Sequence, residues 1–340
     1  MTQERITARR RLLALAAGAF TAGALAFAAP LPSAAATGCD RACLNGFADR
    51  YLSALVKHSP KGLPLAPGVK FTENTARIRL GEGLWLGASD PSPTFNLKVA
   101  DPRTGQVGLF TPMKESGRSI ILAVRLKVVG GKITEIEHFA DRNVPAASAP
   151  NLVTPRLGLV TALPPAERRS RAEMVRIVNA YFDAIEQGNG ALAPFTDDCD
   201  RREDGRQSTH NTFRIEDSIR GFEANSQNAR VWRQILAMGC KEQIDTQVLR
   251  HINQVKPRRI VAIDEAMGLA YVLPVFIHRG DIQSVHLKLI PGEDIFATPT
   301  LPGDTHGVEI FKIQGGKISM VEAAGVSMPF GSKTGWEASK

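Results

Sequence analysis

Four side chains in the second half of the sequence could carry acid–base chemistry. Glu203 and Asp204 are adjacent carboxyls, Tyr181 lies 22 residues upstream, and His278 ends a β-rich run. A carboxylate in an apolar pocket is desolvated, which raises its pKa towards useful general-base values. A phenol or an imidazole beside it can donate a hydrogen bond to a substrate oxygen. Arg202 and Arg206 flank the acids and could stabilise an oxyanion. Tyr51 and Glu73-Asn74 repeat the tyrosine and the acid in the first half and are further candidates for substrate contact. Each candidate also has a plainer role. Asn74 and Asp204-Gly205 suit turns, and a helix tyrosine can be core with its hydroxyl satisfied at the edge.

Other chemistries lack support. His210, His278 and His286 lie in the second half and His138 in the first, but no H-x-H, H-E-x-x-H or facial-triad spacing occurs. No metal is expected. There is no G-x-S-x-G elbow, no G-x-x-x-x-G-K-S/T and no G-x-G-x-x-G, so no cofactor is expected either. Basic pairs such as Arg201-Arg202 and Arg258-Arg259 lack interleaved aromatic residues, which argues against nucleic acid.

The elements that must position these groups occur twice. Ala48-Asp-Arg-Tyr51-Leu-Ser-Ala-Leu55 resembles Val178-Asn-Ala-Tyr181-Phe-Asp-Ala-Ile185, both amphipathic at helical spacing. Phe71-Thr-Glu73-Asn74 aligns with Arg201-Arg-Glu203-Asp204 at the same offset of 130. Val99-Ala-Asp101-x-x-x-Gly105 aligns with Ala262-Ile-Asp264-x-x-x-Gly268, and Gly130-Gly-Lys-Ile133 with Gly315-Gly-Lys-Ile318. The offset grows to 163 and then 185, so the second copy carries insertions of 33 and 22 residues. The first insertion includes a helix expected around Ile219 to Met238. The second includes Pro291 to Gly307, read as a long loop or lid. In each copy a helix precedes strands that close on a hairpin at Gly130-Gly131 or Gly315-Gly316.

The 340 residues allow two domains, and 43% hydrophobic content allows packed cores. Residues 1–36 read as a signal peptide: Arg9 to Arg11 precede the uncharged run Leu12 to Ala29, and Ala34-Ala35-Ala36 follows. Consecutive arginines suit the twin-arginine route; a plain secretory signal or a retained anchor are the alternatives. Removing this segment takes away four arginines and one glutamate, which lowers the net charge from +8 to +5. The four cysteines of an exported protein pair most simply as Cys39–Cys43 and Cys199–Cys240, with zinc as the competing reading. The expected organisation is a first domain over 37–143, a linker with five prolines over 144–168, a second domain over 169–330 and a tail over 331–340.

The helix carrying Tyr, the acidic stretch after it and the closing hairpin with Gly-Lys-Ile resemble the nuclear-transport-factor-2-like superfamily, which includes the SnoaL-like polyketide cyclases. The tandem, exported, cysteine-bearing form is similar to a family of uncharacterised secreted proteins of bacteria and fungi. The resemblance implies an α+β fold: two tandem cone-like domains, each with helices packed in a curved antiparallel sheet around an apolar pocket. It implies lyase, isomerase or hydratase chemistry on a small hydrophobic or aromatic molecule, with Glu203 or Asp204 as acid/base and Tyr181 and His278 as partners. A non-catalytic binding or assembly module, its cones paired within the chain or in a homodimer, is the alternative. No contact with a membrane is expected once the signal is removed.

Overall fold

Apolar residues recurring every three or four positions form the two long helices of the computed structural model. The model describes residues 38–212, 223, 225–298 and 301–337. The signal segment and the start of the helix expected around Ile219 lie outside the described residues. In chain order the helices are α1 (Arg41–Val56), α2 (Leu157–Val160), α3 (Arg171–Gln187), α4 (Gln227–Ala237) and α5 (Cys240–Asp245). Asp40 caps α1 by accepting from Cys43 N at 2.8 Å, and Ser170 caps α3. The face Leu44, Phe47, Tyr51, Leu55 of α1 is buried, as is Met174, Val178, Tyr181, Ile185 of α3. Both expected disulfides are formed.

Each long helix packs in a sheet that curls around it. The first sheet comprises β1 (Leu65–Glu73), β2 (Ala76–Arg77), β3 (Ala88–Ser89), β4 (Leu97–Asp101), β5 (Gln106–Glu115), β6 (Arg118–Val129) and β7 (Lys132–Asp141). Its order is β2-β1-β7-β6-β5-β3, with β4 also on β5. The second comprises β8 (Phe195–Glu203), β9 (Arg206–Gln207), β10 (Gln254–Asp264) and β11 (Leu269–His278), and later β14 (Gly303–Gln314) and β15 (Lys317–Pro329). Its order is β9-β8-β15-β14-β11-β10. The sheets were expected to be antiparallel but are mixed: β1 runs parallel to β7, and β8 parallel to β15. After its helix the chain joins the sheet beside the last strand, running the same way. That pairing spans some 65 residues in the first sheet and leaves no hairpin signature. Between β11 and β14, β12 (Ser284–His286) and β13 (Ile295–Ala297) form a separate hairpin packed on α4 through Val231, Val285, Ile290 and Phe296. It occupies part of the stretch expected as a loop.

The sheets share one compact unit, Ala35–Lys340, and pack face to face. Phe110, Ile121, Ala123 and Phe139 meet Leu269, Tyr271, Val308 and Ile310. Tyr271 lies over Gly108, where a Cβ would come within 2.2 Å of the ring, and its hydroxyl reaches Leu109 O and Val124 O at 3.2 Å. The charged contacts across this seam are reciprocal. Arg171 at the start of α3 donates to Asp101 of the first sheet at 2.5 Å, while Arg41 at the start of α1 pairs with Asp264 of the second.

The segments that follow β7 and β15 cross over as straps. After β7, Asn151 Nδ2 donates to Gly205 O at 2.9 Å, and Arg156 pairs with Asp200 and Glu322 of the second sheet. After β15, Trp336 returns to the first sheet, donating from Nε1 to Thr72 Oγ1 at 3.0 Å with its ring between Lys70 and Arg125. The Pro-rich segment thus lies against the sheets, burying Leu152, Leu159 and Leu163.

Candidate functional site

The curl of the second sheet leaves an apolar cavity of about 290 Å³. A second cavity of about 230 Å³ adjoins it, and the two share Arg201, Glu203, Trp232 and Leu249 as walls. Strand alternation decides which charged residues reach this space. Arg201 and Glu203 lie on one face of β8 and line it, whereas Arg202 points the other way, to Gln207 and to Asn151 O. The expectation that Arg202 faces the substrate is corrected by that period of two. Gly307 and Glu309 of β14 face inward by the same rule. The Cys199–Cys240 disulfide ties β8 to α5 two residues before Arg201.

At the floor Arg201 forms an ion pair with Glu203 and stands 3.8 Å from Glu309, with the Tyr181 hydroxyl beside both. Burial raises the Glu309 carboxyl to about 8, and Glu203 adds to this against the opposing charge of Arg201. Glu309 is therefore largely a neutral acid at pH 7, able to donate, and its Oε2 has no hydrogen-bond partner among the described residues. Burial also raises the Tyr181 phenol, which stays protonated. Asp204 is raised to about 7 by burial, with Asp141 and Glu203 adding to the effect. At the mouth His278 stacks on His251 with ring centroids 5.4 Å apart. Burial lowers both imidazoles, so they are neutral hydrogen-bonding groups. Apolar walls come from Ile185, Trp232, Leu249 and Phe276.

Of the residues expected to act, Glu203, Asp204 and His278 line the first cavity, Tyr181 lies buried against its floor, and Arg206 lines the second cavity. His286 is exposed on β12 and is not part of the His251–His278 stack. Tyr51 of α1 and Glu73 of β1 lie under the other sheet, in a filled interior. There Tyr51 OH meets His138 Nε2 at 2.7 Å, and Trp85 packs edge-on at 5.4 Å. Glu73 is bound by Arg142 at 2.7 Å and accepts from Leu84 N at 2.8 Å. Despite its burial, His138 first, then Arg142 and Leu84 N, hold it below the ordinary carboxylate range. Burial lowers His138, which leaves Arg142 as the counter-ion.

Sequence reasoning missed Arg201, Glu309, His251 and Trp232. Glu309 had a usable signal. It interrupts the apolar run from Val308 to Phe311 on the face that also carries Phe311 and Ile313, so the strand period alone places a charge inside. Among the described residues no group of three or more His, Cys, Asp or Glu could hold a metal ion, and no helix is long and apolar enough to cross a membrane.

Residues 167–325, which hold this cavity, are similar to a domain of unknown function, DUF8021. No curated protein matches the chain by sequence. Among solved structures, AclR from Streptomyces galilaeus, a proposed hydroxylase, is 16% identical with a TM-score of 0.25; the match covers 37% of this chain and 91% of AclR. An LEH-like epoxide hydrolase from M. tuberculosis is 11% identical with a TM-score of 0.24, over 46% of this chain and 84% of that one. At these values neither likeness bears on the chemistry.

Proposed function

We propose that the protein is an exported, cofactor-independent enzyme of lyase, isomerase or hydratase type. It acts by acid–base chemistry on a small hydrophobic or aromatic molecule held in the second sheet's cavity. The observation that carries this reading is the buried Tyr181–Arg201–Glu309 cluster at the floor of an apolar cavity. Burying such groups costs stability, and their perturbed protonation suits catalysis more than structure. Glu309 in its neutral form donates to a substrate oxygen, Arg201 and Tyr181 stabilise the charge that grows there, and Asp204 takes a proton from carbon. Tandem duplication supports the assignment of one active copy, over 169–330, and one supporting copy, over 37–143. The two sheets share a strand order, and Tyr51/Tyr181, Glu73/Glu203 and Arg41/Arg171 recur at one offset. Two disulfides are compatible with export through the 1–36 segment. The copies pair within one chain.

The test incubates wild type, Glu309→Gln and Glu203→Gln with small-molecule extract of the native culture, followed by mass spectrometry. A compound converted by wild type and spared by Glu309→Gln supports the enzyme. Its rate should peak in a narrow window. Asp204 must be ionised, which requires pH above about 7, and Glu309 protonated, which requires pH below about 8. A compound retained unchanged by all three proteins supports the binding module instead.

A further inference from the structure

Asp204 stands in a wall between two spaces. It lines the cavity, and with Thr305 and Gly325 it also lines an open groove of about 460 Å³ along the seam between the sheets. The opposite side of that groove is built by the first sheet, through Asn74, Asp141 and Arg142. Asp141 ends β7 and is 4% exposed. Its Oδ1 accepts from Asn143 N at 2.8 Å, but no donor among the described residues reaches its buried Oδ2.

The carboxyl of Asp204 stands opposite Asp141 on the other side of the seam, near enough for the two to interact. Two ionised carboxylates have only acceptor atoms, so a bond between them needs a hydrogen that one of them carries. The charged neighbours do not replace it. Arg142 is engaged by Glu73 and Glu115 at 2.7 Å each, Arg206 stands 3.8 Å from Asp204 Oδ2, and Glu203 adds negative charge. The remaining contacts of Asp204 are neutral, with Gly325 N donating to Oδ1 at 3.1 Å.

We infer that Asp141 and Asp204 share one proton across the seam, so that the cavity's acid–base group is a two-carboxyl unit to which each sheet contributes one member. Two carboxyls so placed titrate as a pair, the first ionising readily and the second late. Burial and the neighbouring charge raise Asp204, and burial raises Asp141, in keeping with this. The unit also gives the cavity a proton exit. When the ionised pair takes a proton from a ligand through Asp204, that proton becomes the shared one, and Asp141 releases it to water in the groove. One proton enters, one leaves, and the pair is restored. This last role rests on the proposed enzymatic function; the shared proton does not.

The experiment is carboxyl-carbon NMR across pH on the full protein labelled at aspartate side chains. Resonances are assigned by their loss in Asp141→Asn and Asp204→Asn, with circular dichroism confirming the fold of both variants. In wild type the Asp204 resonance should titrate near 7. In Asp141→Asn the new amide donates to Asp204, and the midpoint should fall by more than one pH unit. An Asp204 midpoint at the ordinary value of about 3.9, or one unchanged by Asp141→Asn, overturns the inference. Because the readout is titration, a failed search for turnover leaves this result standing, and the reverse also holds.

Discussion

Where β7 carries His138, the matching register position of β15 carries Ala323; where β1 carries Phe71, β8 carries Arg201; where β6 carries Val124, β14 carries Glu309. Under both helices a tyrosine points at this spot, Tyr51 in one sheet and Tyr181 in the other. In the first sheet the ring of His138 is hydrogen-bonded to the phenol and packs edge-on to Phe71, while Trp85 closes the remaining space. In the second, alanine leaves room, and the arginine and glutamate that replace apolar neighbours meet one another beside it. Three substitutions, together with Trp85, thus separate a core that is finished from one that is open. The open one retains the Arg201 guanidinium and the Glu309 carboxyl, polar groups that a purely structural core would do better without.

Copying the filled core into the open one gives the largest expected effect. Arg201→Phe, Glu309→Val and Ala323→His together should lower turnover or ligand retention by at least ~10³-fold, since they remove both the acid and the charge stabiliser. Thermal unfolding should move upward, because replacing a buried arginine and carboxyl by packed groups gains about 1–4 kcal/mol. Undiminished turnover would place the chemistry elsewhere. The converse change, Trp85→Ala, should empty the first core at a cost of about 3–5 kcal/mol in denaturant unfolding while leaving turnover per folded molecule unchanged. The disulfides extend the contrast on a smaller scale. Cys199 and Cys240 are 41 residues apart, whereas Cys39 and Cys43 are 4 apart. By loop closure, paired Cys→Ser changes should cost about 4 kcal/mol at the former and about 2 kcal/mol at the latter. Equal losses would mean that the long loop stays ordered when unfolded.

Local signals carried much of this into the sequence. The Gly-Gly hairpins, the helices with Tyr51 and Tyr181, and both cysteine pairs are legible because each rests on neighbours within a few residues or on simple parity. The parallel pairs β1–β7 and β8–β15 are not, since their partners meet only after the sheet has closed. The site divides along the same line. Glu203 and Asp204 stand out as adjacent carboxyls at a repeated position and His278 as the end of a β-rich run, and all three line the cavity. Glu309 sits inside a strand whose surroundings decide whether its charge is paired, bare or protonated. Asp141 acquires a partner only because two sheets meet, and that is a property of the docked pair.

The straps raise a question of descent and of dissection. The segment after β7 covers the second sheet through Asn151 and Arg156, and the segment after β15 covers the first through Trp336. A cut after Arg156, within 157–168, therefore leaves each fragment without the cover it wears in the whole protein and with one that fits its companion. Expressed together, such fragments have the means to find each other; expressed singly, each exposes a bare sheet face. If the two halves descend from one gene, its product was already a dimer with swapped arms, and fusion joined partners that had exchanged limbs beforehand.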